Sequence, residues 1–292
     1  MKKSLIALSS VLAFSVAVGA VPLNDCTAPA PALAAQYQIN SSMETITAEG
    51  YGRYPAGMPA GTAKIQARRA AVVDAQRNLL ESIKGVAIDS ETTVENFMLK
   101  DDVIHSKVSG IIKGARVISE EALPDGYKVT MAVPVYGTDS LSDMAITAVV
   151  GDKAPTPVPQ PPTNYKPAPG IAITGGYTGL VINAKDSGLV RTFCPAIYDT
   201  TGRAIYGVYN VDKKYAIDYG VVGYAKGPEG WSKVNAGNSR AGSNPLVVDI
   251  VSVRERTVNK CDVVISVKDA DRILAENQRS HFLDKYAVMF EI

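Results

Sequence analysis

The sequence predicts an α+β protein of two domains, the first a helix-on-antiparallel-sheet sandwich and the second a mixed β-rich sheet ending in a β-α-β unit. Three observations lead there. Gly61 to Val86 forms one long amphipathic stretch, and a hairpin pattern lies downstream of it. A proline-rich segment divides the chain near its middle. Beyond it, short apolar runs alternate with glycine, asparagine and aspartate, and the last of them bracket a helical pattern. At roughly one domain per 100–200 residues, the length agrees with two.

Met1 to Ala20 starts with Lys2 and Lys3, runs apolar from Leu5 to Val18 and reaches Val18-Gly19-Ala20, a small-residue cleavage site. This predicts a secretory signal peptide over residues 1–20, with a second candidate site at Ala32-Leu33-Ala34. The apolar run is shorter than the roughly 20 residues of a spanning helix, and no later run reaches that length, so no transmembrane helix is expected in the mature chain. Export places the protein in the periplasm or at the outer-membrane periphery. Three cysteines are present. Leu23-Asn24-Asp25 before Cys26 puts an aspartate where a lipidation box needs a small residue. Cys194 and Cys261 are either a disulfide, worth about 4 kcal/mol on the chain-entropy model, or two buried thiols.

Residues 21–35, rich in alanine and proline, read as a disordered stem, and residues 36–151 as the first domain. Gln36 to Ala48 alternates weakly as a strand, whereas the glycines and prolines of Gly50 to Gly61 argue for a loop. That loop lacks the lysine followed by serine or threonine of a phosphate cradle. In the helix, Ile65, Val72, Ala75, Leu79 and Ile83 share a face, Thr62 is placed to cap the start, and Gly85 suits a left-handed end. Val86 to Val94 reads as a strand. Asp101 and Asp102 can cap a helix from Val103 to Ile112, which Gly114 stops. Ala115 to Ala122 and Tyr127 to Val135 flank the turn Pro124-Asp125-Gly126, forming the hairpin that the first helix would cover. Ser140-x-x-Asp143 opens a last helix, closed by Gly151.

Ala67-Arg68-Arg69-Ala70, Asp74-Ala75-Gln76-Arg77-Asn78-Leu79-Leu80-Glu81 and Ile83-Lys84-Gly85-Val86, continued by Gly110 to Ala115 and the Asp125-Gly126 hairpin, resemble the outer-membrane lipoprotein family of the 20-kilodalton LPP type. That group is similar to the flagellar P lipoprotein and the flagellar T protein N-terminal domain. The resemblance implies a non-enzymatic envelope part that assembles with protein partners or with itself, associated with flagellar outer-membrane rings, and it carries over no catalytic residue.

Residues 152–169 form a Pro-rich linker; seven prolines between Gly151 and Pro169 favour polyproline II, at about 3.1 Å per residue, a spacer on the order of tens of ångströms. Residues 170–292 form the C-terminal α/β domain. Its strand candidates are Thr178 to Ala184, Phe193 to Tyr198, Ala204 to Tyr209, Val221 to Ala225, Pro245 to Val253 and Asp262 to Val267. Ser266 and Asp269 open the helix to Phe282, and Tyr286 to Ile292 is the final strand, read as a parallel partner of Asp262 to Val267 through a right-handed crossover.

Little in the sequence points to chemistry. Thirty lysines and arginines face twenty-nine acids, which removes the broad field that nucleic acid would need. His105 and His281 fall in different domains, and metal-ligand spacing is absent. No catalytic, cofactor or metal residue is expected. The enriched type is tyrosine: Tyr198, Tyr206, Tyr209, Tyr215, Tyr219 and Tyr224 crowd one stretch with Trp231 beyond, and they read either as strand-favouring core or as an interaction surface rimmed by Lys213 and Lys214. The function expected is assembly or scaffolding in the cell envelope. The alternative is a periplasmic or surface module that binds polysaccharide or peptide through the tyrosine-rich domain.

Overall fold

The computed structural model describes residues 44–255 and 257–292. Among them it is an α+β structure of seven helices and three sheets, and a second domain begins near residue 179. The expected leader, stem and Cys26 lie outside the described residues.

The first domain is built on α1 (Ala60–Lys84), which crosses a three-stranded antiparallel sheet of order β1 (Thr45–Arg53), β3 (Gly126–Pro134), β2 (Arg116–Ala122). Its buried face is Ala63, Ala67, Ala71, Ala75, Leu79 and Ile83, a stripe of every fourth residue, while Ile65 is exposed. Ala75, Leu79 and Ile83 lie on the face expected and Val72 is half-buried beside it, but at the N-terminal end Ile65 gives way to the small residues Ala63, Ala67 and Ala71. The reason lies in β1, where Gly50 and Gly52 sit inside the strand and not in a loop. A Cβ on Gly50 would lie 2.1 Å from the Ala75 nitrogen, and one on Gly52 would lie 2.0 Å from the Ala67 oxygen. Only alanine facing glycine lets helix and strand backbones approach this closely. The helix then covers the edge of β1 as well: Asp74 Oδ2 accepts from the Tyr51 N–H at 2.9 Å, and Asn78 Nδ2 donates to the Glu49 carbonyl at 2.8 Å.

Other local expectations meet specific corrections. Thr62 does not cap α1, because the helix already starts at Ala60 after Pro59, and Gly85 closes it at φ −74°, in the right-handed region. Residues 86–94 make one bridge, Ala87 to Thr93, and Val94 opens α2 (Val94–Lys100) in place of a strand. Asp101 caps α3 (Asp102–Lys113) through the Val103 and Ile104 N–H groups, and Ser140 caps α4 (Leu141–Val150) through Asp143 N–H, both as the side chains require.

The second domain has two four-stranded sheets. One is wholly parallel, in the order β7 (Gly223–Ala225), β11 (Val288–Glu291), β4 (Gly179–Asn183), β8 (Pro245–Asp249). The other is mixed, in the order β6 (Ala204–Tyr206), β5 (Ile197–Asp199), β10 (Val263–Ile265), β9 (Ser252–Val253). α7 (Val267–Ser280), capped by Ser266, links β10 to β11. The two strands lie in different sheets, so the expected pairing between them is replaced by β11 with β4 and β7 and β10 with β5. Two short helices, α5 (Lys213–Tyr219) and α6 (Gly227–Asn235), were not foreseen.

The proline-rich segment does not hold the halves apart. Thr156 N–H donates to the Tyr209 carbonyl and Val158 is buried, so the segment runs along the second domain. The domains meet directly. Gly137 N–H and the Ser142 hydroxyl both reach the Ile217 carbonyl, Cys194 N–H donates to the Ile88 carbonyl at 2.9 Å, and Asn259 Nδ2 donates to the Asp89 carbonyl at 2.8 Å. One apolar core runs from Ala67 to Phe290.

Candidate functional site

The tyrosines expected as an interaction surface are dispersed by the fold. Tyr206 and Tyr215 are buried: Tyr206 donates to the Val221 carbonyl, and Tyr215 packs against Tyr219 and Tyr286 at ring separations of 4.9 and 4.6 Å. Burial pushes the Tyr206 and Tyr224 hydroxyls well up from the ordinary tyrosine value. Tyr224 packs edge-on against Phe290 and bonds the Thr192 backbone, and Tyr198 lies under the Arg254 guanidinium. Tyr209 is the exposed member. Tyr198, Tyr206 and Tyr224 stand on strands, as their propensity favours, whereas Tyr215 and Tyr219 stand on the helix α5 and pack there by burial of their rings. The Lys213 and Lys214 rim is engaged too, by the Gly151 carbonyl and by Asp218. Those lysines border an open depression of about 460 Å³ with Asp143, Asp212 and Asp218. Asp212 there caps α5 through the Tyr215 N–H, and Asp143 accepts from the Asp139 N–H just before α4 and from the Thr147 hydroxyl, so its charges serve local structure.

His105 and His281 are both exposed, and His281 contacts Asp284 at 3.3 Å. Among the described residues no group of three or more histidines, cysteines or acids could hold a metal ion. Cys194 and Cys261 are buried, free thiols. Burial, reinforced by the nearby acids Asp89 and Asp262, raises both above the ordinary thiol range.

A different place draws polar groups together: the C-terminal edge of the parallel sheet. Strand register sets Ala225, Glu291, Asn183 and Asp249 side by side, each the last residue of its strand and all on one face. α6 covers that face beside a small apolar cluster of Val181, Ala225, Val234, Ala241 and Met289. Gly230 of α6 rests on Ala225, where a Cβ would come within 3.1 Å of the strand backbone. This contact brings Trp231 to the edge. Glu291 is 4% exposed; its Oε2 accepts from Lys185 Nζ at 2.9 Å, and its Oε1 has no hydrogen-bond partner. The same ammonium lies 4.7 Å from the Trp231 ring centroid, and the indole Nε1, also buried, has no partner either. Asn183 Nδ2 donates to Asp249 Oδ1 at 2.7 Å, and Asn183 Oδ1 accepts from Lys185 N–H.

The edge thus holds a buried free acceptor, a buried free donor, a half-buried ammonium and an exposed acid. In open α/β sheets the crevice past the carboxyl ends of the strands is where ligands sit. The sequence carried a signal for it that went unused: three apolar runs, GLVIN, PLVVD and VMFE, each end in a carboxylate or amide.

Residues 179–291, from the first residue of β4 to the last strand residue of β11, match the family model described as Treponema pallidum Tp0624, second domain. The match takes in all five residues of the polar edge. No curated protein matches the chain.

Proposed function

We propose that the protein is a non-enzymatic component of the cell envelope that acts in assembly, docking through the open edge of its first-domain sheet. The observation that carries this is an asymmetry between edges. β1 is capped by Asp74 and Asn78, whereas every residue of β2 is exposed, Val117 and Ile118 included. An uncovered edge with apolar side chains is a template for strand addition. A second copy suits it: antiparallel pairing of two β2 strands can set Arg116 opposite Glu121, matching charge across the seam. The leader sequence and the resemblance of the first domain to lipoproteins related to flagellar ring parts support an exported site of action. An association with such rings is the finer form of this reading.

Ile118→Lys tests it. Sedimentation of the mature chain should show self-association that the substitution weakens, and a photoreactive residue at position 118 should crosslink chain to chain in cell-envelope fractions. A monomeric wild type with no crosslink at 118 would end the reading. A second reading, a ligand-binding module, is favoured by the unpartnered Glu291 and Trp231 atoms; it places the site at the sheet edge, away from the tyrosines.

A further inference from the structure

We propose that the C-terminal edge of the parallel sheet, where Glu291, Lys185 and Trp231 meet, binds a neutral saccharide. This rests on the ligand-binding reading and names its ligand class. The argument runs by charge. A ligand ammonium would satisfy Glu291 Oε1 but would face the Lys185 ammonium, 2.9 Å from the same carboxylate, and would leave the Trp231 N–H unpaired. A ligand carboxylate would suit Lys185 and the indole N–H but would meet Glu291 and Asp249, the latter one strand beyond Asn183. A hydroxyl donates and accepts at one atom, so it can give its proton to Oε1 and take one from Nζ or Nε1. Adjacent hydroxyls on a sugar ring repeat that match along the row to Asn183 and Asp249. Charge-assisted bonds of this kind are the strong ones, and an aromatic wall beside them suits the apolar face of a pyranose.

The approach is also defined. Lys185 covers the indole from a surface turn with two left-handed residues, Asp186 at φ 57° and Gly188 at φ 73°. Its side chain is 31% exposed, against 5% for Glu291. A sugar reaches Oε1 by displacing the ammonium from the ring, and the freed ammonium then donates to the ligand.

Trp231 is the sole tryptophan, so its fluorescence reports this edge alone. The mature chain is titrated with cellotetraose and N-acetylchitotetraose, with glucose and N-acetylglucosamine, and with ethylammonium and acetate. The expected result is a saturable change with at least one saccharide. A response to the monosaccharides identifies a free sugar as the ligand, and a response confined to the tetrasaccharides identifies a polymer. Glu291→Gln should weaken binding about tenfold, and Trp231→Phe, followed by calorimetry, about fivefold. Thermal melts check that both variants are folded, and Asp249→Asn, at an exposed position where the amide oxygen can still accept from Asn183, should give a weaker third reduction with the fold kept. A response to ethylammonium or acetate without one to any sugar overturns the saccharide but keeps the ligand-binding reading. Silence from every probe, or sugar binding unmoved by all three substitutions, overturns the site altogether.

Discussion

Gly50→Ala is the sharpest test of how the first domain is held together. The added Cβ would sit 2.1 Å from the Ala75 nitrogen and 2.2 Å from the Ala71 oxygen, both backbone atoms of α1. Restoring an ordinary contact means moving helix and strand apart by about 1.3 Å, which loosens the whole stripe from Ala63 to Ile83. Overpacking typically costs 1–3 kcal/mol, and a clash with main chain that cannot rotate away belongs at the upper end, about 3 kcal/mol. For a chain of this size that lowers Tm by about 6–12 °C, read by circular dichroism. Two controls make the result specific. Gly61→Ala, where nothing lies within 4 Å, should be neutral or slightly stabilising. Adding Ala75→Gly to Gly50→Ala should give no rescue, because the obstructing atoms are not side chain. Wild-type stability in Gly50→Ala, or full rescue by Ala75→Gly, would refute the close approach.

Glu276, fully buried in α7, accepts from Thr174 N–H at 3.3 Å and Gly175 N–H at 2.7 Å, tying down the approach to β4. Glu276→Gln leaves one of those donors facing an amide N–H₂ and should cost about 2 kcal/mol in urea unfolding; no change would mean the anchor is dispensable. Glu120 is held down to about 2, chiefly by the hydrogen bond from Arg68 and further by the Tyr127 hydroxyl. Its folded value lies below the ordinary 4.5, so its contribution is present above pH 4.5 and lost as pH falls toward 2. Acid titration of Glu120→Gln should lack that loss, and identical acid limbs would contradict the pairing. Cys194 and Cys261 should stay unreactive to a thiol reagent in native protein near pH 8 and react once denatured without reductant. If they stay silent in denaturant until a reductant is added, the two are bonded.

What the sequence made legible was local. Ser140, Asp101 and Ser266 cap their helices because a hydroxyl or carboxylate two or three residues before free N–H groups needs no tertiary help. The hairpin of β2 and β3 followed from Pro124-Asp125-Gly126 for the same reason. Gly50 and Gly52 misled because a glycine in isolation signals a turn, and its use here, admitting a helix backbone, exists only once α1 lies on β1. Ile65 misled because hydrophobicity ranks it above alanine, while the geometry of the contact selects the smaller residue. The polar edge was legible only in pieces: each apolar run shows its own terminal amide or carboxylate, but Asn183, Trp231, Asp249 and Glu291 are far apart in the chain and meet only through strand order.

The proline-rich segment invites the view that the two domains unfold separately, and the contacts between them argue the opposite. The turn 87–93 of the first domain is gripped from three sides: Thr192 Oγ1 donates to the Ala87 carbonyl, Cys194 N–H to the Ile88 carbonyl and Asn259 N–H to the Ser90 carbonyl. Tyr136 adds an edge-on contact with Phe193, and α4 packs on α5. Separating the domains would leave these donors unpaired and the continuous core open to water, so unfolding should be cooperative across both. Trp231 lies in the second domain and Gly50 in the first, which gives a direct assay. In Gly50→Ala the fluorescence transition of Trp231 should move down with the circular-dichroism transition, by the same few degrees. A tryptophan transition left at its wild-type position while the helical signal melts early would show two independent units and defeat the argument.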